Sequence, residues 1–162
     1  MSKNIKSTRR RQQGAAAVEL ALVLPVLVVF FTAPLFFAIF FWHYTAAQKA
    51  AQDGARYLST VSEQEMRDPT LALVAANTAR EIIREELAEL LPAQNSIAVV
   101  LHCGTAANGV MNLCTGVGDG PLPEVVDVSV QFRLRDQLFG FVNTGRYGWS
   151  VSAMASVPYV GN

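Results

Sequence analysis

Only two cysteines and two histidines occur among the 162 residues. That leaves no further cysteine to complete a zinc site around Cys103, Cys114 and His102. The glycines of residues 115–120 (TGVGDG) are not followed by Lys-Ser/Thr and lack a strand–helix setting, which excludes a nucleotide-phosphate loop. No serine lies in a G-x-S-x-G elbow, and neither histidine sits in a hydrolase motif. No enzyme activity, cofactor or resident metal is therefore expected. A second long apolar run is also missing, so the sequence predicts a single membrane pass.

The first 14 residues contain no acid. They carry Lys3, Lys6, Arg9, Arg10 and Arg11, five of the 13 basic residues. The rest of the chain holds eight basic residues against 13 acidic ones, so a net charge of zero hides a basic head and an acidic body. A basic tail alone would suit nucleic acid. Here it abuts an apolar run, and Lys and Arg beside a span stay on the cytoplasmic side. The head therefore reads as an orientation signal, with no nucleic-acid partner.

The apolar run is Leu20–Trp42, 23 residues without a formal charge, in which Thr32 is the one clearly polar side chain. About 20 such residues cross a bilayer. A secretory signal would have a shorter apolar core, about 7–15 residues, with small residues after it. Here the small residues, Ala15 to Ala17, come before, so retention of the span is expected. Pro25 and Pro34 predict kinks tolerated in a membrane. Trp42, His43 and Tyr44 form an aromatic belt at the far interface.

Glu19 sits near the start of this stretch. A carboxylate at a bilayer centre costs about 2.5–3.5 kcal/mol on insertion scales, and less near the interface. A bland interfacial role is one reading. The functional reading needs a cation, and a free amine on Ala15 would supply it, in the same subunit or a neighbour. Such an amine exists only if the chain is cut between Gly14 and Ala15.

An Arg-rich leader, Gly14, a glutamate five residues on and a long apolar helix together resemble the class III signals of type IV pilins and pseudopilins. The stretch RRRQQGAAAVELALVLPVLVVFF is similar to the start of TadE-like proteins, minor pseudopilins of the tight-adherence (Tad/Flp) pilus machinery. AAQKAAQDGARYL, Ala46–Leu58, resembles the Ala-rich stretch ending in G-A-R that follows the span in that family. The resemblance covers roughly Arg9 to Leu58. It implies cleavage after Gly14 by a prepilin peptidase on the cytoplasmic face. It also implies a place among other pilin or pseudopilin subunits and the Tad inner-membrane machinery. The chain departs from the family pattern at Leu20, where an aromatic residue often follows the glutamate.

Beyond the span a helix is expected to continue through Ala47, Ala51 and Ala55. These small residues share a face suited either to a neighbouring subunit or to the protein's own domain. Gly54 is a candidate bend. Ser62 to Pro69 reads as a break, followed by an amphipathic helix over residues 70–91 with Leu71, Val74, Ala75, Thr78, Ile82, Leu87 and Leu90 as its apolar face. Ser96–Cys103, residues 125–134 and Trp149–Val157 read as strands, the last two strictly alternating. Gly104–Pro123 reads as a loop, and Leu138, Phe139 and Phe141 as apolar plugs in a connector. Cys103 and Cys114 are expected to form a disulfide pinning the loop to the first strand, with free thiols or zinc as alternatives.

The expected fold is α+β: a long N-terminal transmembrane helix, then one helix packed on a small antiparallel sheet of about three strands. The expected organisation is a basic cytoplasmic leader over 1–14, a transmembrane helix with its outward extension over 15–58, and an extracytoplasmic domain over 59–162. The expected location is the bacterial inner membrane, with the N-terminus cytoplasmic. The function that fits is pilus assembly without chemistry. The alternative is an uncleaved single-pass protein whose outer domain binds a partner.

Overall fold

The computed structural model describes residues 6–88, 97–104, 111–114, 116–134 and 148–161, with backbone alone for residues 6–14 and 111–112. The elements are α1 (Lys6–Ser59), α2 (Glu63–Arg67), α3 (Pro69–Ala88), β1 (Ala98–Gly104), β2 (Met111–Leu113), β3 (Val125–Leu134) and β4 (Trp149–Pro158). The fold is α+β. Two compact units divide the chain, Met1–Ile39 and Phe40–Asn162.

The first unit is the N-terminal part of α1. The basic head, which lacks apolar periodicity, is helical from Lys6 onward. Extending an existing helix is cheap once it is nucleated, and Arg and Gln are good helix formers. The helix is assigned without a break through Pro25 and Pro34, where the sequence predicts kinks. Between the two prolines the Thr32 hydroxyl donates to the carbonyl of Val28 at 2.5 Å and lies 3.2 Å from that of Val29. From Val18 to Phe31 the large apolar side chains all face outward, as expected of a helix whose solvent is not water.

The second unit begins with the rest of α1. Ala47, Ala50, Ala51, Ala55 and Leu58 are fully buried in its core. Of the two uses open to the alanine face, packing onto the protein's own domain is the one adopted. This part of α1 runs beside β4 in the same direction. The Phe40 and Trp149 rings meet edge to face at 6.1 Å. Gln48 Nε2 donates to the Met154 carbonyl at 2.7 Å. The Val160 N–H donates to the Ser59 carbonyl at 3.0 Å.

The sheet is antiparallel throughout, in the order β2-β1-β3-β4. Val126, Val128, Val130, Phe132 and Leu134 of β3 face the core, as the alternation predicts. Gln131 and Arg133 face out, but Ser129 is buried on the opposite face because it lies between Val100 and Met154 in the middle of the sheet. The fourth strand, β2, lies inside the segment read as a loop. Three residues are too few to show a period, and β2 pairs only with His102, Cys103 and Gly104.

Three other local readings change. The break before Pro69 contains α2. Ser62 caps it: its hydroxyl accepts from the Glu65 N–H, and the Glu65 carboxylate accepts from the Ser62 N–H. This reciprocal arrangement is a capping box.

The buried face of α3 is Ala72, Ala75, Ala76, Ala79, Ile83 and Leu87, which keeps Ala75 and Leu87 of the expected stripe, leaves Thr78 and Ile82 half-buried and turns Leu71 and Val74 outward. Leu71 and Val74 are 46% and 61% exposed. Gly54 is a point of close approach: a Cβ added there would lie 2.6 Å from Ile83 Cδ1. The bare glycine of α1 leaves room for the Ile83 side chain of α3 at this point. Leu90, Leu138, Phe139 and Phe141 lie outside the described residues.

The glycines of 116–120 have a structural role. Gly116 has φ of 93° and passes so close to the α2–α3 corner that a Cβ would lie 2.7 Å from Pro69 Cα. The N–H groups of Val117 and Gly118 donate to the carbonyls of Met66 and Arg67. The Arg67 guanidinium donates back to the carbonyls of Gly118 and Gly120. The segment clasps α2 and fixes where α3 begins.

Candidate processing and assembly site

Gly14, Ala15 and Glu19 all lie on α1, inside one unbroken helical stretch. Ala15 and Glu19 are four residues apart, so they share a face about one turn apart along the axis. Both are exposed. Val18 and Leu20 flank the carboxylate and are also exposed, at the head of an apolar surface that continues to Trp42. Glu19 is thus the one acidic group in that surface, within a helical turn of the backbone nitrogen that cleavage after Gly14 would free.

The peptide between Gly14 and Ala15 is helical here. A protease that binds its substrate extended must open this turn. Glycine lowers the cost, being about 1 kcal/mol worse than alanine in a helix and presenting no side chain to the enzyme. Gly14 therefore makes a weak point in this part of the helix, with good helix formers on either side.

The residues from Ala15 to Ser59 form a helix long and apolar enough to cross a membrane, with a mean hydropathy of 2.6 in its most apolar window. Residues 14–56 match the family model of the TadE-like proteins. The match starts at the glycine and ends two residues short of Leu58, so it covers the resembling stretch apart from the Arg-rich residues 9–13 and the last two residues. It supports a Tad pilus-associated, pilin-like role. TadE-like pilus proteins are structural components. No curated protein and no solved structure matches the chain.

The second unit holds the remaining polar groups. Cys103 and Cys114 are joined, with Cα atoms 5.0 Å apart. Their bond lies beside the β1–β2 pair, where Cys103 is opposite Asn112. On the sheet's other face Asp127 lies between His102 and Ser156 on the neighbouring strands. Its Oδ1 is buried without a hydrogen-bond partner among the described residues. Also among the described residues, no group of three or more His, Cys, Asp or Glu side chains is placed to hold a metal ion.

Among the described residues, two carboxyls have shifted acidities. Glu86 on α3 titrates above its ordinary value, chiefly because burial disfavours its charge and next because Asp53 of α1 stands against it. Lys49 acts in the other direction, and its ammonium is 3.9 Å from Asp53. Asp68 titrates below its ordinary value, because its carboxylate accepts hydrogen bonds from the Thr70 hydroxyl and from the N–H groups of Thr70 and Leu71. It caps the start of α3.

Sequence reasoning missed the Asp53–Glu86 pair and the capping box. The box had a signal: Ser62 followed three residues later by Glu65. The carboxyl pair had none, because it depends on the packing phase of α3.

Proposed function

We propose that this protein is a minor pilin or pseudopilin of a Tad-type pilus assembly system, made as a precursor and cut between Gly14 and Ala15 by a prepilin peptidase. The reading divides the chain into a cytoplasmic leader over 1–14, a transmembrane helix with its extension over 15–58 and an extracytoplasmic domain over 59–162. The five positive charges of the leader hold the N-terminus on the cytoplasmic side of the inner membrane. The Cys103–Cys114 bond suits the oxidising compartment beyond that membrane.

Cleavage removes the leader charge and creates an amine at Ala15. Glu19 then has a cation at the right depth, on its own helix or on the next subunit. Inside an apolar assembly an unpaired carboxylate is costly, so subunits whose ends are paired are favoured over misregistered ones. The outward side chains of the span supply the packing surface. The observation that carries the reading is the coincidence of three features: a family match beginning at Gly14, a glutamate one turn beyond the new terminus, and an apolar helix thereafter.

The test is Glu19→Ala. Membrane insertion is retained and pilus assembly falls. Normal assembly by this variant removes the charge-pairing part of the proposal.

One observation favours the rival reading, an uncleaved single-pass protein whose outer domain binds a partner. The helix runs through Gly14 without interruption, and a leader that stays helical is a poor protease substrate. The two readings part at the chemical identity of the N-terminus.

A further inference from the structure

We infer that the β4 end bearing Trp149 rests on the outer leaflet of the bilayer, giving the second unit a second membrane contact beside the aromatic belt of α1. The inference rests on the membrane-anchored reading given above.

Phe40, Phe41, Trp42 and Tyr44 open the second unit on α1, where the 23-residue apolar run ends. Trp42 is 63% exposed, and Phe41 and Tyr44 are also exposed. Trp149 starts β4 and is 39% exposed, although its ring stacks against Phe40 at 6.1 Å. A helix rises about 1.5 Å per residue, so Phe40 and Trp42 differ in height by about 3 Å. The Phe40 stack thus places Trp149 near the level of the belt. Because α1 and β4 run in the same direction, Gln48–Met154 and Ser59–Val160 lie progressively farther from it.

Phe41, Trp42, Tyr44 and Trp149 thus expose aromatic rings at about one level of the unit. Their common level with the end of the apolar run argues for lipid as the occupant. Tryptophan combines a large apolar ring with an N–H donor, which suits the boundary between acyl chains and headgroups. Two contacts, one on the helix and one at the end of the sheet, would fix the tilt of the unit on the membrane. One contact would leave it free to swing.

The chain has two tryptophans, so each can be read alone. Full-length Trp42→Phe and Trp149→Phe proteins are reconstituted in phosphatidylcholine bilayers brominated near the top of the acyl chains. A third reporter, Met154→Trp with both native tryptophans replaced by Phe, reads a position midway up β4. Circular dichroism and an intact Cys103–Cys114 bond verify the fold of each. The expected result is loss of Trp149 emission and of Trp42 emission to bromine, with the reporter at position 154 unquenched. Trp42 quenched and Trp149 unquenched overturns the inference and leaves the anchor standing. Neither quenched overturns both. Trp149 quenched without Trp42 breaks the common level on which the inference rests. Equal quenching at 149 and 154 means the whole strand lies on the lipid, which also overturns a contact confined to its end.

Discussion

The Ile83 side chain of α3 fills the space over Gly54 of α1: a Cβ on Gly54 would lie 2.6 Å from Ile83 Cδ1 and 2.9 Å from Cγ1. Both residues are buried, so the isoleucine has no open space into which to turn. Gly54→Ala gains about 1 kcal/mol of helix propensity but incurs about 1–3 kcal/mol of overpacking. The expected net loss is up to about 2 kcal/mol. Ile83→Val removes Cδ1 and alone costs about 1 kcal/mol. In the Gly54→Ala background it should cost less, because it relieves the clash. Thermal denaturation of the two single variants and the double variant measures this coupling. Additive losses would mean that the close approach is relaxed in solution.

That same contact explains which parts of the fold could be read from the sequence. The strands β3 and β4 were legible because one face meets the core, which forces a two-residue period on Val126 to Leu134 and on Val151 to Val157. The membrane-length helix was legible from its composition alone. The phase of α3 was not. Leu71 and Val74 are more hydrophobic than Ala72 and Ala76, so a reading by hydrophobicity rotates the first half of the helix away from its buried face, although Ala75 and Leu87 are buried as expected. Fit decides instead: α1 presents Ala47, Ala51, Gly54 and Ala55, and the space that these small residues leave over Gly54 is filled by Ile83 of α3. The proposed processing residues could be picked out from sequence because Gly14 and Glu19 lie in one short stretch. The Asp53–Glu86 pair and the clasp of Gly116 on Pro69 depend on segments distant in sequence.

The two shifted carboxyls predict opposite pH responses. Glu86 binds its proton more tightly in the folded protein than its ordinary value of 4.5 implies. Its contribution to stability is fully present below that value and is lost as pH rises through the raised one. Asp68 binds its proton less tightly than its ordinary value of 3.8 implies. Its contribution is present above that value and is lost as pH falls through the lowered one. Glu86→Gln should therefore raise the melting temperature most at neutral pH and flatten the fall from acid to neutral. Asp68→Asn should flatten the acid side alone. Melting curves from acid to neutral pH check both. A Glu86→Gln protein with the wild-type pH profile would show that the carboxyl pair carries no proton linkage.

Cys103 and Cys114 close a short loop at the β1–β2 edge. Constraining the unfolded chain by such a bond is worth about 3 kcal/mol for a loop of about 15 residues, with a usual range of about 2–4. The Cys103→Ser/Cys114→Ser double variant should lose about that much in denaturant unfolding of the full-length protein in detergent. Reductant should destabilise the wild type to a similar degree and leave the variant unchanged. Insensitivity of the wild type to reductant would contradict a stabilising bond.

The central claim is that this chain is a precursor whose functional N-terminus is created at Ala15. The direct measurement is the N-terminal sequence of the protein purified from membranes of cells with and without the prepilin peptidase. The account predicts a chain beginning at Ala15 when the peptidase is present and one retaining residues 1–14 when it is absent. A chain beginning at Met1 in both would contradict it and leave the uncleaved, partner-binding anchor as the reading that stands.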